Sequence, residues 1–427
     1  MTRLARFLDG FASSFVRSAH VGLASHYLEG LLGDAKRKTM EGMVTRLTEP
    51  VHYQVFQHFI THSTWEVEPV WKRLRSRIPE RSGYFVIDDT SIPKQGRHSA
   101  GVARQYCGAL GKVANCQVFV SSVLRTSSSI WPLAMELYLP ESWCADETRR
   151  ARAKIPEHVS HRSKVEIAIE QLDNAIAAGF SIECVLVDAG YGDSSEFRRA
   201  IELRGLCYSV GVSKQTKVFL QPPRFRRDSS AKRPALARGS PRPKSVEEVA
   251  EAVDDDQWIR LSWRNGTKGP LKADFLILRV RPSHRWEHGQ QHDEVWLICE
   301  RTVGKDSVRK FYLSSLPPDL EPKEVIRITH ERWAIEMHYR DLKQELALDD
   351  FEGRLFPGIA RHVALTALAY AFLQLERRRS RAAKPPTLNA LRRGVTEVVT
   401  AILFASNERF AKIIADFIRA PPRRAGS

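Results

Sequence analysis

Cysteine is scarce in this chain of 427 residues. The six present (Cys107, Cys116, Cys144, Cys184, Cys207 and Cys299) include no C-x-x-C pair. That scatter excludes a disulfide framework and a zinc finger, and it fits a reducing cytosol, the expected location. Long apolar runs are missing as well. The longest, Val363 to Leu375, has 13 residues, against the about 20 that a membrane span requires. At the N-terminus Arg3, Arg6, Asp9 and Arg17 break any signal-peptide core. None of the 14 histidines has a zinc spacing; His20 with His26, and His58 with His62, read as helix-surface or packing residues. No internal repeat is visible. Acidic residues are in deficit, 50 against 66 Lys and Arg, which leaves a net charge of +16. That excess suits a polyanionic partner, nucleic acid or an anionic membrane surface. With 43% hydrophobic and 27% charged residues, wholesale disorder is excluded, and the length suggests about three structural units.

Residues 1–78 read as a helical N-terminal region carrying Arg3, Arg6, Arg17, Lys36, Arg37 and Lys38. From Ser82 the pattern changes to short β-rich runs, GYFVIDDT, NCQVFVSSVL and WPLAMELYLP, each bounded by turn signals. A helix follows at Ser163 to Gly179, with Ser163 as cap and Gly179 as stop. IECVLVDAGYG is then an apolar strand, SSEFRRAIELRG a helix and LCYSVGV a strand. This β-β-β-α-β-α-β order over 79–213 makes an α/β mixed sheet with crossover helices. A β-rich insertion is expected over 214–321, opened by a basic, proline-rich loop at 222–244. The chain turns helical again over 322–356, and a helical C-terminal region covers 357–427, interrupted at ERRRSRAAKPP.

Acids at strand ends are the first candidates for chemistry, because open sheets place ligands beyond the carboxyl ends of their strands. Asp88 and Asp89 close the first strand and Asp188 a later one. Each alone reads more often as a turn or cap residue, the role expected of Asp193. The helix after the insertion adds Arg332, Glu336, Tyr339 and Lys343. At about 100° per residue these four fall within roughly 60° of one another, along about 16 Å of helix. One reading is an amphipathic surface helix with i,i+4 pairs. The other is a metal-ligating carboxylate whose neighbouring cations hold phosphates. Three converging carboxylates suit Mg²⁺, which takes oxygen ligands and is commonly completed by substrate phosphate.

Longer blocks carry a resemblance. VIDDTSIPKQG, RQYCGALGKVANCQV, YLPESW, VLVDAGYGDSSEFRRAI and ERWAIEMHYRDLKQELALDDFEGR, followed by RHVALTALAYAFL, resemble the DDE-class insertion-sequence transposases, in the subgroup with a YREK signature. The blocks extend over residues 55–376 in the family's order. The resemblance implies an RNase H-like core interrupted by an all-β insertion before the glutamate, with helical N- and C-terminal regions. Carried over residue by residue, it places the catalytic, metal-ligating acids at Asp89, Asp188 and Glu336. Strand alternation then turns Asp88 to the opposite face. Arg332 and Lys343 match the signature's spacing and imply DNA contacts, while the tyrosine position falls on Thr329.

The implied reaction is cleavage of the phosphodiester at the element's ends and strand transfer into target DNA, with two Mg²⁺ ions that Mn²⁺ can replace. The implied partner is double-stranded DNA, both transposon ends and target, bound by a homodimer; no membrane is involved, and the location is the bacterial cytoplasm, associated with the nucleoid. The N-terminal helices, the 222–244 loop and Arg377 to Arg381 offer phosphate contacts. Trp296, Phe311 and Tyr312 offer either base stacking or, as the plainer reading, buried sheet packing. Two other functions compete: a catalytically silent or domesticated DNA-binding protein, and an RNase H-like nuclease that cuts without joining.

Overall fold

A computed structural model of the chain describes residues 2–226, 235–266, 269–283, 293–304, 308–380, 382 and 385–406. Five helices come first: α1 (Thr2–Asp9), α2 (Ser18–Leu32), α3 (Met40–Val44), α4 (Tyr53–Thr61) and α5 (Val67–Arg77). In α1, Leu4, Phe7 and Leu8 turn inward at helical spacing while Arg3 reaches out to Glu376. These helices join the same continuous apolar core as the sheet that follows. α1 contacts α2, whereas α2, α4 and α5 pack on a long C-terminal helix.

The next elements form a mixed sheet. They are β1 (Ser82–Pro93), β2 (Ala103–Cys107), β3 (Lys112–Arg125), β4 (Ile130–Leu137), α6 (Glu141–Cys144), α7 (Glu147–Ala153), α8 (Lys164–Ala177), β5 (Ser181–Val187), α9 (Ala189–Gly192), α10 (Ser195–Glu202) and β6 (Tyr208–Val212). β1 lies antiparallel to β3 and parallel to β5, and β5 is parallel to β6. With β4 antiparallel to β3, the order β4-β3-β1-β5-β6 is the expected RNase H-like α/β arrangement. β2 was not legible in the sequence: it is a short edge strand in which Arg104 and Tyr106 face solvent. The expected helix from Ser163 is α8, closed by a capping box in which Ser163 and Glu166 satisfy each other's backbone N–H. Gly179 follows it at φ +81°, a conformation open to glycine without strain. β3 is buried without a break from Cys116 to Leu124. Since successive side chains point to opposite faces, both faces of the sheet are covered there.

The insertion holds β7 (Lys217–Phe219), β8 (Lys244–Ser245), α11 (Val246–Glu251), β9 (Ile259–Gly266), β10 (Gly269–Pro282), β11 (Val295–Arg301) and β12 (Val308–Ser314). It is β-rich with one short helix, and its sheet continues that of the core, because β12 pairs antiparallel with β6 from Ser314↔Ser209 to Phe311↔Val212. Of the expected basic loop at 222–244, residues 227–234 lie outside the described residues.

The chain ends in α12 (Pro322–His330), α13 (Trp333–Gln344), α14 (Phe356–Arg379) and α15 (Leu388–Ser406). α13 packs on β1, β3 and β4. α14 is the one described helix long and apolar enough to cross a membrane, yet 83% of its apolar window is buried within the protein. A helix apolar on every side is a core helix in this setting.

Candidate active site

β1 runs past its parallel neighbour. Its pairing with β5 stops at Val86↔Leu186, while its pairing with β3 continues to Pro93↔Cys116. Beyond Val86 one edge of β1 is therefore open, and the acids Asp88 and Asp89 stand on that overhang. Asp188 follows the end of β5 and caps α9, its Oδ1 accepting the Gly190 N–H at 2.9 Å. Glu336 lies in the first turn of α13. All four acids line one cavity of about 530 Å³, together with Lys164 and Lys343. The expected separation of Asp88 from the site is thus corrected. Alternation does send the two side chains to different partners, but on an open edge both reach the same cavity.

The partners are specific. Arg332 Nη1 donates to Asp88 Oδ2 at 2.8 Å and its Nη2 to Glu336 Oε1 at 2.5 Å. Asp88 Oδ1 also accepts the Asp89 N–H at 2.7 Å. On the other side, Asp89 accepts from the Lys164 ammonium and the Tyr191 hydroxyl. Burial raises the Asp88 carboxyl to about 7; Asp188 adds to the rise, and the Arg332 guanidinium opposes it. Tyr339 donates its hydroxyl to the Asp88 carbonyl at 2.6 Å and meets Ser121 Oγ at 2.7 Å, which fixes β1 against α13. Lys343 reaches the Ser91 carbonyl at 3.0 Å.

The structure brings Asp89, Asp188, Glu336 and Lys343 together, with Arg332 bridging to Glu336. Thr329 stands apart: it is buried, and its hydroxyl meets Ser209 Oγ at 2.7 Å and the Val325 carbonyl at 2.8 Å. Asp193 takes the turn alternative of the role expected of it, closing α9 just before α10. Ser194 caps α10, and Asp193 accepts from Ser213 N at 2.7 Å and Thr216 Oγ1 at 3.0 Å. Trp296 and Phe311 are buried, the Trp296 indole donating to the Leu316 carbonyl at 3.1 Å, and the Tyr312 hydroxyl donates to Glu300. They are sheet packing. Arg377, Arg378 and Arg379 have partners in the chain, Ser128, Glu80 and Glu376, and Arg381 lies outside the described residues. Sequence reasoning missed Lys164, the first residue of α8, and Tyr191. Only topology carries these two to the end of β1.

The donor set is made of hard carboxylate oxygens, the chemistry that Mg²⁺ and Mn²⁺ prefer. Among the described residues no three acids stand at metal-ligand spacing. Instead, Arg332 and Lys164 hold carboxylate oxygens that a divalent ion would take, so the site already gathers cations. Its oxygens would suit such an ion once Lys164 leaves Asp89 and Glu336 turns from Arg332.

Two comparisons relate the chain to known proteins. A family described as DDE superfamily endonuclease matches residues 7–270, more than half of the chain, and the match includes Asp89 and Asp188. The chain is 24% identical over 336 residues to a protein of Microchaete diplosiphon named "Probable transposase for insertion sequence element IS701", covering 77% of this chain and 76% of that one.

Proposed function

The chain belongs to the DDE superfamily endonucleases, and on that premise we propose that it is the transposase of an insertion sequence, cutting DNA at the element's ends and joining the freed 3′-hydroxyls to target DNA. The observation that carries this reading is the convergence of Asp88, Asp89, Asp188 and Glu336 on one cavity walled by Lys164 and Lys343. Asp89, Asp188 and Glu336 would hold two Mg²⁺ ions, with Mn²⁺ able to substitute. Bound there, such ions supply Lewis-acid polarisation of the scissile phosphate and acidify the attacking water.

The protein's own groups do the rest. Asp188 is oriented by the Gly190 N–H, so its carboxylate is presented at the end of β5. Glu336 is 59% exposed and can turn from Arg332 toward the cavity. Arg332 stays anchored on Asp88 by one nitrogen and offers its other to a phosphate oxygen, a role suited to a planar fork. Lys343 contributes a point charge on the same helix face. The family resemblance further suggests a homodimer that holds both ends, with the N-terminal helices on the inverted repeats.

The test is to incubate purified protein with Mg²⁺, end-containing duplex and a target plasmid. Cleavage with joined product supports the reading, and Asp188→Ala should remove both. Binding without cleavage would make the protein catalytically silent, and cleavage without joining would make it a nuclease.

A further inference from the structure

Resting on that reading of the cavity, we propose that Lys164 is a phosphate-binding residue of the same reaction, held on Asp89 until divalent ions displace it. Lys164 is the first residue of α8, and its ammonium contacts the Asp89 carboxylate. The side chain is 38% exposed. A pair at this exposure ties structure together by only about 0–1 kcal/mol.

The helix does not depend on the pair. The Ser163–Glu166 capping box sets its start, Ile167, Ala168, Leu172 and Ala175 are buried, and Gln171 Nε2 donates to the Val120 carbonyl at 3.1 Å. The position of Lys164 therefore calls for another explanation. It stands on a carboxylate assigned to a doubly charged ion, and at equal distance that ion attracts the carboxylate twice as strongly as an ammonium does. Once released, the ammonium remains tethered in the cavity by a flexible stem. The anions then available to it are the phosphate oxygens that complete the ions' shells. DNA would be gripped from α8 as well as from α13, which carries Lys343. Lys164 thus opposes metal binding in the free protein and supports DNA binding in the loaded one.

These two signs separate the proposal from a merely structural role. Mn²⁺ binding to the full chain without DNA is read from the free-ion signal in electron paramagnetic resonance. Affinity for end-containing duplex is measured in Ca²⁺ across a salt series. Lys164→Met should tighten Mn²⁺ binding roughly three- to tenfold, weaken DNA binding, and reduce the salt slope by about one. Lys164→Arg should retain the wild-type slope. An unchanged Mn²⁺ affinity, or an unchanged salt slope, in Lys164→Met overturns the proposal. Asp188→Ala serves as reference. If it binds Mn²⁺ like the wild type, the metal-site reading itself fails; if it loses Mn²⁺ while Lys164→Met behaves as wild type, only the Lys164 assignment fails.

Discussion

At the scale of the residue, Asp88 and Arg332 decide how the site holds together. Asp88 is 16% exposed and Arg332 25%, so their pair is mostly withdrawn from water, and without Arg332 the Asp88 carboxyl must either stay charged without its cation or take up a proton. Arg332→Ala should lower stability by about 1–3 kcal/mol, and adding Asp88→Asn should recover most of that loss. Urea unfolding of the two single variants and the double variant measures it; a double variant no better than Arg332→Ala would show that the charge is not what costs. Asp188 and Glu336 were marked in the sequence by a strand end and a helix face, whereas strand ends left Asp88 and Asp89 level and only the family resemblance singled out Asp89. The place of Asp88 was not legible, because alternation tells which face a side chain leaves from but not that the cavity at the end of β1 reaches both residues, which only the tertiary structure shows. Thr329 could not be placed from spacing either, since its burial against Ser209 is a tertiary contact.

At the scale of the element, α14 organises the molecule. The apolar run in the sequence is shorter than the helix because Arg361 and His362 extend it as buried polar residues with partners. Arg361 donates to the carbonyls of Ile60 and Trp65 at 3.0 Å, and to that of Ser63. These bonds tie the turn after α4 to the core. Arg361→Ala would leave those carbonyls without their donor and should cost about 3 kcal/mol or more, read as a lowered urea midpoint. His362 meets the Tyr27 hydroxyl at 2.8 Å and stacks on Phe351 at 4.7 Å. Burial lowers it from 6.5 to about 4. Its folded pKa lies below its unfolded one, so the unfolded state binds the extra proton between those values. The stability it contributes is complete above about pH 6.5, falls as pH drops toward 4, and is constant below. The loss is at most about 3 kcal/mol. Unfolding measured from pH 7 to pH 4 should show this slope, and His362→Gln should flatten part of it, with His338, lowered to about 3 by burial, supplying more.

At the scale of the whole molecule, the β-rich insertion shares a sheet with the catalytic core through β12 and β6. The order of strands was readable from the sequence, but not this junction, because a pairing across 100 residues leaves no local pattern. The +16 charge also belongs to this scale. Several cations that looked free in the sequence are paired within the chain: Arg3 with Glu376, Arg37 with Glu352, Arg378 with Glu80. DNA affinity should still fall steeply with salt, roughly 10³-fold between 50 and 200 mM if about six phosphates are contacted. A flat salt response would remove DNA as the polyanion. The central claim is that a carboxylate on α13 works with those of β1 and β5 on a DNA phosphodiester. Its most direct test is cleavage of end-labelled element DNA in Mg²⁺ by Glu336→Gln against the wild type, with DNA binding measured in parallel. The account predicts that cleavage falls by about 10³-fold or more while binding stays within about twofold, since Glu336 makes no phosphate contact of its own. Cleavage at the wild-type rate in a variant that binds normally would contradict it.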